Sequence, residues 1–315
     1  MNLLRLPLII MCCIVNMSSA ALDQSHPHGV VLNNGTTIQG PDYHIHQQYG
    51  TTQGQNLFHN FHQFNIYSNE SVRFKGENSI QNVICRISGN EYSWINGDIY
   101  MDIQKANLFL LNPNGFIFGP NSSIHMDGAF HTSSADYIRM DDDHLIYSTV
   151  TNDDILSCAS PKSFGFLKQT NSSIEFINTQ LSNSSISIVG GDVLLQNSKI
   201  KAAEGDIFLA SLDGKGEISI NGENRYMDIV QKGEIKLKDN STIDVSGQQS
   251  GNIVIYSKDL LLTNMSGIEA NNKGKGGGEI YLKSNNIYLS DQSCIKSESI
   301  LLLVQTIHCY LMSRM

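Results

Sequence analysis

Histidine and aspartate are the residues of this chain whose types and spacing could support chemistry. Three close histidine pairs occur near the N-terminus: His26 and His28, His44 and His46, and His59 and His62. On a β-strand, residues i and i+2 lie on one face, so a His-x-His pair could hold a metal ion. A polar strand face or a loop is the alternative, and we favour it because no carboxylate or thiol is placed nearby to complete a site. We therefore expect no metal site.

Two acidic segments, Asp141-Asp142-Asp143 and Asn152-Asp153-Asp154, could supply the paired carboxylates of glycoside hydrolysis. Solvated loop acids are the favoured interpretation, because chain positions do not fix the separation of two carboxylates in space. We find no Gly-x-Ser-x-Gly elbow and no phosphate-binding loop. The sequence thus predicts no catalytic residues and no cofactor. A secreted carbohydrate-active β-helix enzyme, a polysaccharide hydrolase or lyase, remains the alternative to a non-catalytic protein.

Composition argues against a nucleic-acid partner. Charged residues make up only 16% of the 315 residues, the net charge is −9, and no cluster of Lys and Arg occurs. Proteins that bind nucleic acid normally present a basic face to the phosphates. Hydrophobic residues make up 40% of the chain, enough for a substantial core. We expect a weakly charged, polar surface over many short strands joined by turns.

The N-terminal 21 residues have the pattern of a signal peptide. Arg5 is followed by an apolar run from Leu6 to Val15 and then by small residues from Ser18 to Ala21. The run is shorter than the roughly 20 residues that span a bilayer. Four cysteines follow it, at positions 85, 158, 294 and 309. Their wide spacing fits neither a zinc site nor a dense disulfide scaffold, so we expect isolated thiols.

From about Ser163 onward one short pattern recurs, a glycine followed two and four residues later by aliphatic side chains. The central aliphatic residues are Val193, Ile207, Ile235, Ile253 and Ile280. Second short strands follow several of them, at 198–202, 241–247 and 266–270. Aliphatic and polar residues alternate within each strand, and no Asn-Gly hairpin links neighbouring strands. This recurrence of one module favours a β-solenoid over a sandwich or barrel. The strand and turn at 30–37 could cap its N-terminal end.

The stretch from Ala106 to Gly119 is the most informative local pattern. Leu108 to Leu111 and Phe116 to Phe118 are apolar without alternation, which is typical of strands buried on both faces. Between them lies Asn112-Pro113-Asn114-Gly115. Pro113 fixes φ at the second turn position, Asn112 can bond its own backbone, and Asn114 and Gly115 tolerate a positive φ. We therefore predict a tight turn between two core strands.

In this setting, residues 40 to 140 resemble the N-terminal secretion domain of the filamentous haemagglutinin family, the exported proteins of two-partner secretion. The matching blocks, in order, are Gly40 to Tyr43, Asn56 to Phe64, Val83 to Gly89, Ser93 to Gly97, Ala106 to Gly119, Gly128 to Phe130 and Ser134 to Asp136. Later segments, including Val189 to Asp192, look like the family's continuation, so the resemblance covers about Val30 to Ser299. The chain departs from the family at Cys85 and from His131 to Ser134.

The resemblance implies an all-β fold, a right-handed parallel β-helix (β-solenoid) with an N-terminal β cap. It also implies export through an outer-membrane β-barrel transporter with periplasmic recognition domains. The turn Asn112, Pro113, Asn114 and Gly115 corresponds to the motif associated with export and transporter recognition. The other family-matching residues are Asn56, Leu57, Phe58, His59, Phe61, Phe64, Arg86, Gly89, Ile95 and Gly97.

These inferences give a plan for the whole chain. We expect a signal peptide at 1–21, a secretion domain with cap and first coils at 22–160, further coils at 161–299 and an atypical apolar tail at 300–315. We attribute the tail to a truncated or frameshifted reading frame, with a capping strand or helix as the alternative. The expected product is an adhesin- or haemagglutinin-like exoprotein, secreted or held at the surface of a Gram-negative-type cell, with a host or cell-surface ligand.

Overall fold

The computed structural model describes residues 27–150, 155–168, 171–220, 233–272, 274 and 278–310. The expected signal peptide and the acidic segment 152–154 lie outside these residues. The described part is built of β-strands, with one turn of 3-10 helix at Gln47–Tyr49. Within it, no helix is long and apolar enough to cross a membrane.

The strands are numbered in chain order. The first group is β1 (Val30–Leu32), β2 (Asp42–His46), β3 (Thr51–Gln53), β4 (Asn56–Phe64), β5 (Ser71–Lys75), β6 (Asn82–Ile87), β7 (Ser93–Ile95), β8 (Asp98–Met101), β9 (Asn107–Leu111), β10 (Phe116–Phe118) and β11 (Ser123–His125). The second is β12 (Phe130–Ser133), β13 (Tyr137–Met140), β14 (Leu145–Tyr147), β15 (Pro161–Phe166), β16 (Ile174–Ile177), β17 (Gln180–Ser182), β18 (Ile186–Gly190), β19 (Val193–Gln196), β20 (Lys199–Lys201), β21 (Ile207–Ser211) and β22 (Gly216–Ser219). The last is β23 (Glu234–Lys238), β24 (Thr242–Asp244), β25 (Ile253–Leu262), β26 (Gly267–Ala270), β27 (Glu279–Ser290), β28 (Cys294–Ser297) and β29 (Ser299–Tyr310).

Three parallel faces make this a parallel β-helix, which confirms the predicted fold class. The first face stacks β4, β6, β9, β12, β18 and β21, and the second stacks β7, β10, β16, β19 and β23. Both faces meet in β25, which bends from one to the other, and β27 and β29 continue it. The third face consists of two parallel sheets, β2-β5-β8-β11 and β17-β20-β24-β26-β28. From β6 to β28, each coil thus contributes one strand or strand segment to each face.

The N-terminal end carries the predicted cap. β1 and β3 both pair antiparallel with β4, the first long strand of the first face. Val30 and Leu32 point into the interior and are buried with the main core. An antiparallel strand laid on the end of a parallel stack covers backbone groups that would otherwise form an open edge.

Inward-facing side chains line up in rows along the axis because the strands pair in register. One row of the first face contains Leu57, Val83, Leu108, Phe130, Ile186, Ile207, Ile253, Ile280 and Ile300. As far as Ile280, this row belongs to one continuous hydrophobic core inside the helix, whereas Ile300 at its end is exposed. A single coil cannot bury its own inward side chains, so each coil depends on its neighbours.

A fourth, antiparallel sheet covers part of the first face from outside. Its order is β14-β13-β15-β22, and it forms a second core against outward side chains such as Phe58 and Phe109. Within this sheet, β13 and β14 form a hairpin around 141–144. Its turn is not an Asn-Gly pair, so the sequence signal that we sought was absent.

This covering sheet decides which apolar runs are buried on both faces. Leu108 to Leu111 of β9 are all buried, alternately in the inner core and the second core, as predicted. The same prediction was wrong for β10. Phe116 and Phe118 point inward, but Ile117 between them points outward and is only half-buried, because no sheet formed by the described residues covers the second face there.

The recurring glycine-aliphatic motifs are not successive copies of one position. Val193 and Ile235 pair directly on the second face, whereas Ile207, Ile253 and Ile280 stack on the first. Two faces that pack on one core need the same alternating pattern, so the motif marks a strand without saying which face it joins. The irregular spacing of the motifs follows from this alternation.

The apolar tail continues the stack within the described residues. Ser299 to Tyr310 form β29, which pairs in parallel register with β27. Ile300 and Ile307 lie opposite Ile280 and Ile287 and extend their inward rows. A strand was one of the two conformations considered for this segment. Its attribution to an altered reading frame stays a prediction.

Candidate functional site

The Asn-Pro-Asn-Gly segment forms the corner between β9 and β10. The Gly115 N–H donates to the Asn112 carbonyl oxygen at 2.8 Å, which closes a β-turn. The Asn114 N–H donates to Asn112 Oδ1 at 3.0 Å, as expected for an asparagine at the first turn position. Of the two residues that could tolerate a positive φ, Gly115 adopts it, at +93°, and Asn114 does not. Only the glycine leaves the turn through the left-handed conformation.

The side chains of this turn bind the corner of the preceding coil. Asn112 Nδ2 donates to the Glu91 carbonyl oxygen at 3.1 Å and to Ser93 Oγ at 3.0 Å. Asn114 Nδ2 donates to the Gly89 carbonyl oxygen at 2.7 Å. Asn112 is fully buried. Both amides therefore stabilise the stacking of one coil on the next.

The backbone of the same turn contacts the following coil. The Pro113 carbonyl oxygen accepts hydrogen bonds from Ser172 Oγ at 2.8 Å and from Lys168 Nζ at 3.2 Å. A Cβ at Gly115 would collide with the Ser173 carbonyl oxygen. Glycine is thus required by both its conformation and this close approach. The turn connects three successive corners of the β-helix.

A small groove opens beside the turn. It has a volume of about 260 Å³, and Pro113, Asn114, Tyr147, Leu167 and Lys168 are among its lining residues. Tyr147 and Leu167 are exposed. Lys168 forms an ion pair with Asp136 across the groove at 3.7 Å. The exposed surface next to the motif is therefore made largely by the residues that flank the covering sheet.

The family-matching residues of β4 lie inside the molecule. Leu57, Phe61 and Phe64 belong to the inner core, and Phe58 belongs to the second core under the covering sheet. Asn56 begins an amide ladder along the axis. Asn82 Nδ2 donates to Asn56 Oδ1 at 2.9 Å, and Asn107 Nδ2 donates to Asn82 Oδ1 at 3.0 Å. Asn56 Nδ2 in turn donates to the Ala159 carbonyl oxygen at 2.7 Å.

His59 occupies an inward position on β4 and is fully buried. Its ring packs near Phe61 and Phe74, each with ring centroids 5.9 Å away. Among the described residues, neither ring nitrogen has a hydrogen bond of normal geometry, and only the Tyr49 backbone lies close enough to favour the charged ring. Burial lowers the pKa of His59 to about 4, against a smaller opposing effect of the Tyr49 backbone. The imidazole is therefore neutral at pH 7 and serves as a core side chain.

The remaining family-matching residues also hold the first coils together. Arg86 is buried and donates from Nε to Asn60 Oδ1 at 2.7 Å and from Nη1 to the Tyr147 carbonyl oxygen at 3.0 Å. Ile95 is buried in the core and bridges to Ile66. A Cβ at Gly89 or Gly97 would meet a backbone carbonyl oxygen of the neighbouring coil.

The structure does not gather these residues into a pocket. They spread over the interior and corners of the first coils, where each contributes to packing or to a buried hydrogen bond.

Sequence reasoning missed three features that share this region: the amide ladder, the covering sheet and His131. His131 is buried on the outer side of β12, and its ring stacks on Phe109 with centroids 4.3 Å apart. An asparagine repeating near the start of successive strands was the one available signal for the ladder.

The residues first considered for chemistry lie elsewhere. His44 and His46 are on the outer face of β2, where Lys75 Nζ contacts His44 Nδ1 at 2.9 Å. No group of three metal-ligating side chains occurs among the described residues. Asp142 and Asp143 lie in the β13–β14 turn, where hydrogen bonding from Ser157 lowers the pKa of Asp142 and Asp143 pairs with Arg139. These acids therefore have local structural partners.

Comparison with known proteins agrees with this architecture. The family model described as TPS secretion domain matches residues 23–255. The crystal structure of the HMW1 secretion domain from Haemophilus influenzae matches with a TM-score of 0.51 and 20% sequence identity, over 85% of this chain and 71% of that chain. At this identity the match speaks for the fold alone. A search of curated proteins found no match.

Proposed function

Because the chain belongs to the family of TPS secretion domains, we propose that it directs its own export through an outer-membrane β-barrel transporter whose periplasmic domains recognise it. The signal peptide would first carry it to the periplasm. The exported protein would then be secreted or held at the cell surface, with an adhesin- or haemagglutinin-like role and a host or cell-surface ligand.

The observation that carries the proposal is the burial of the family-matching residues. Asn112, Phe61 and Arg86 are at most 1% exposed in the folded β-helix. A partner could not reach these side chains once the coils have closed. We infer that the transporter reads them while the chain is still extended, by adding one of its strands to the exported segment.

The cysteines suit a route in which an extended chain passes a pore. Cys85, Cys158, Cys294 and Cys309 are all free. A disulfide between distant strands would hold the chain in a closed loop, and none forms among the described residues. The thiol of Cys85 is buried on β6, away from oxidants once the domain is folded.

Folding outside the cell could bias the movement outward. Every new coil buries inward residues such as Ile207 and Ile253 against the coil before it. A fully buried aliphatic side chain contributes about 1.5–3 kcal/mol before conformational entropy is subtracted. Because the coils stack in sequence order, an emerging segment can dock without waiting for the rest of the chain.

A binding experiment tests the proposal. The probe is the purified periplasmic part of an outer-membrane transporter of the two-partner-secretion type from the same organism. The ligand is the full chain, either folded or freshly diluted from urea. We expect tight binding by the diluted chain and at least tenfold weaker binding by the folded chain. Equal binding by both forms, or binding by neither, would contradict the proposal.

A pair of variants sharpens this test. The double substitution Pro113→Ala with Asn114→Ala removes the motif, and Asn34→Ala is the matched control. Asn34 is an exposed turn asparagine of the cap, whose Oδ1 accepts from the Thr36 N–H at 3.0 Å, so its replacement changes a turn outside the motif. We expect the double variant, but not the control, to weaken transporter binding and to reduce secretion into the medium.

A further inference from the structure

Two buried histidines distinguish the first coils from the rest of the β-helix. His59 lies inside the helix on β4, and His131 lies under the covering sheet on β12. The two rings therefore belong to different cores. No histidine occurs between His144 and His308, so the coils from β18 to β28 contain none.

Apart from the Tyr49 backbone, whose effect is smaller than that of burial, the neighbours of His59 do not stabilise a positive charge. Its partner across the ladder on β6 is Cys85, whose thiol pKa is raised by burial. Phe61 and Phe74 contact the ring from β4 and β5, and the Tyr49 backbone approaches from the 3-10 turn. No carboxylate among the described residues faces the imidazole. Protonation would leave an unpaired charge in the core.

His131 has an equivalent environment on the other side of the sheet. Its ring lies on Phe109 of β9 and is opposite Ser187 of β18, whose hydroxyl already donates to the Ile220 carbonyl oxygen. Nδ1 has no hydrogen-bond partner. Burial alone lowers the pKa of His131, to about 3, and no charged group among the described residues opposes that effect.

We propose that His59 and His131 make the first coils, β4 to β12, an acid-labile unit that opens as the pH falls toward 5 while the coils from β18 onward stay folded. This inference rests on the proposed function for its biological meaning, since an opened unit is the form that the transporter would read. The structural claim itself does not require any transporter.

The direction and size of the pH effect on stability follow from the linkage between histidine protonation and folding. An unfolded histidine titrates near pH 6.5, and both folded values lie below it. Stability from the neutral rings is therefore fully present above pH 6.5 and is lost as the pH falls toward the folded values. Between pH 7 and pH 5, each ring shifts the folding equilibrium toward the unfolded form by about 20-fold, and two independent rings by about 400-fold.

The single tryptophan gives a local probe of this unit. Trp94 on β7 is fully buried, and its fluorescence reports opening of the first coils only. A brief deuterium pulse at fixed pH, after incubation of the full chain at pH values from 7 to 4, reports the first and later coils separately. We expect Trp94 exposure and exchange in 56–133 to appear at higher pH than exchange in 253–290. Simultaneous opening of both regions would overturn the proposal.

Variants assign the effect to the two rings. The double substitution His59→Leu with His131→Phe keeps apolar contacts at both positions and removes both titrating groups. The control is His125→Gln, since His125 is exposed on β11. We expect the double variant to move the acid transition of Trp94 to lower pH and the control to leave it unchanged. An unchanged transition in the double variant would overturn the proposal. If that variant fails to fold, the pulse experiment on the unmodified chain still decides whether the first coils open separately.

Failure of this inference can be distinguished from failure of the proposed function. Acid opening is measured on the purified chain alone, whereas export is measured with the transporter at pH 7. A chain that opens in acid but never binds the transporter would contradict only the function. A chain that binds the transporter but opens as one unit would contradict only the inference.

Discussion

The coils built by β4 to β12 and those built by β18 to β27 belong to one solenoid, but different side chains fill them. Aromatic residues fill much of the early interior, including Phe61, Phe74 and Phe118, whereas Ile, Leu and Val fill the later interior. Buried amides, Arg86 and two histidines occur in the early part. The later part buries mainly hydroxyl groups, such as the paired Ser257 and Ser284.

The corners of the early coils also differ from those of the later coils. Early coils change face through separate turns, such as the one at 112–115. In the later coils, β25 and β27 continue from the first face to the second as single bent strands. The comparison teaches that the early coils depend on particular side-chain partners, while the later coils depend on a repeating aliphatic pattern. The family-matching blocks fall mainly in the part that depends on particular partners.

Truncating one side chain in each core should have the largest effect. Phe118 stacks on Phe176 with ring centroids 4.7 Å apart, and we expect Phe118→Ala to destabilise the first coils by about 3–5 kcal/mol through the cavity it leaves. Leu237→Ala is the counterpart in the later coils, with an expected loss of about 2–5 kcal/mol. Urea unfolding followed by Trp94 fluorescence and by peptide-resolved exchange measures both. Equal shifts of both probes in both variants would contradict two separable regions.

A glycine pair tests the corner of the early coils. Gly115 and Gly35 both have positive φ, at +93° and +85°, but a Cβ at Gly35 would meet nothing within 4 Å. We expect Gly115→Ala to cost about 1–3 kcal/mol more than Gly35→Ala, because only the former forces a neighbouring backbone to move. The measurement is the free energy of unfolding from Trp94 fluorescence. Equal costs would show that the close approach to Ser173 does not matter.

Removing the buried Asn112 amide of the turn should have a somewhat smaller effect on stability. Asn112→Ala leaves the Asn114 N–H and the Glu91 carbonyl oxygen without their partner, and we expect a loss of about 1–3 kcal/mol. Asn112→Asp keeps an acceptor for the Asn114 N–H but places a carboxylate against the Glu91 carbonyl oxygen, so we expect it to cost at least as much as the alanine variant. Thermal unfolding checks both. Full stability in the alanine variant would mean that water replaces the amide.

Exposed ion pairs should give the smallest effect and should not distinguish the two regions. Arg73 pairs with Asp102 at 2.7 Å in the early coils, and Lys296 pairs with Glu269 at 3.1 Å in the later coils. We expect Arg73→Ala to cost less than about 1 kcal/mol and Lys296→Ala to have little measurable effect, and both effects to shrink at high salt, because solvent screens both pairs. Urea titrations at low and high salt measure this. A loss above 2 kcal/mol at Arg73 would show that surface charge also differs between the regions.

The sequence was sufficient to predict those parts of the fold that follow from the alternation of aliphatic and polar residues. The recurring aliphatic residues, the cap at 30–37 and the turn at Asn112 were all readable, because period-two patterns and turn residues act locally. The face that each strand joins was not readable, since Val193 and Ile207 carry the same motif on different faces. The covering sheet was missed because its hairpin uses acidic residues. The half-burial of Ile117 depends on where that sheet stops, which only the tertiary structure reveals.

The candidate site was readable as a set of matching residues but not as an arrangement. Nothing in the types of Asn112 and Asn114 indicates that both amides reach back to the preceding corner. The neutral state of His59 also depends on burial, which its neighbours in sequence do not disclose. Its closeness to His62 in the sequence suggested a pair of metal ligands. The two residues differ in exposure, however, because they point to different sides of β4.

The central claim is that this chain is an export domain recognised before it folds. The most direct measurement is the amount of full chain in the medium of Gram-negative cells, with and without a co-expressed outer-membrane transporter of the two-partner-secretion type. The claim predicts that the chain reaches the medium only with the transporter and that the Pro113→Ala, Asn114→Ala variant reaches it less than the Asn34→Ala control. Equal amounts in the medium with and without the transporter would contradict the claim.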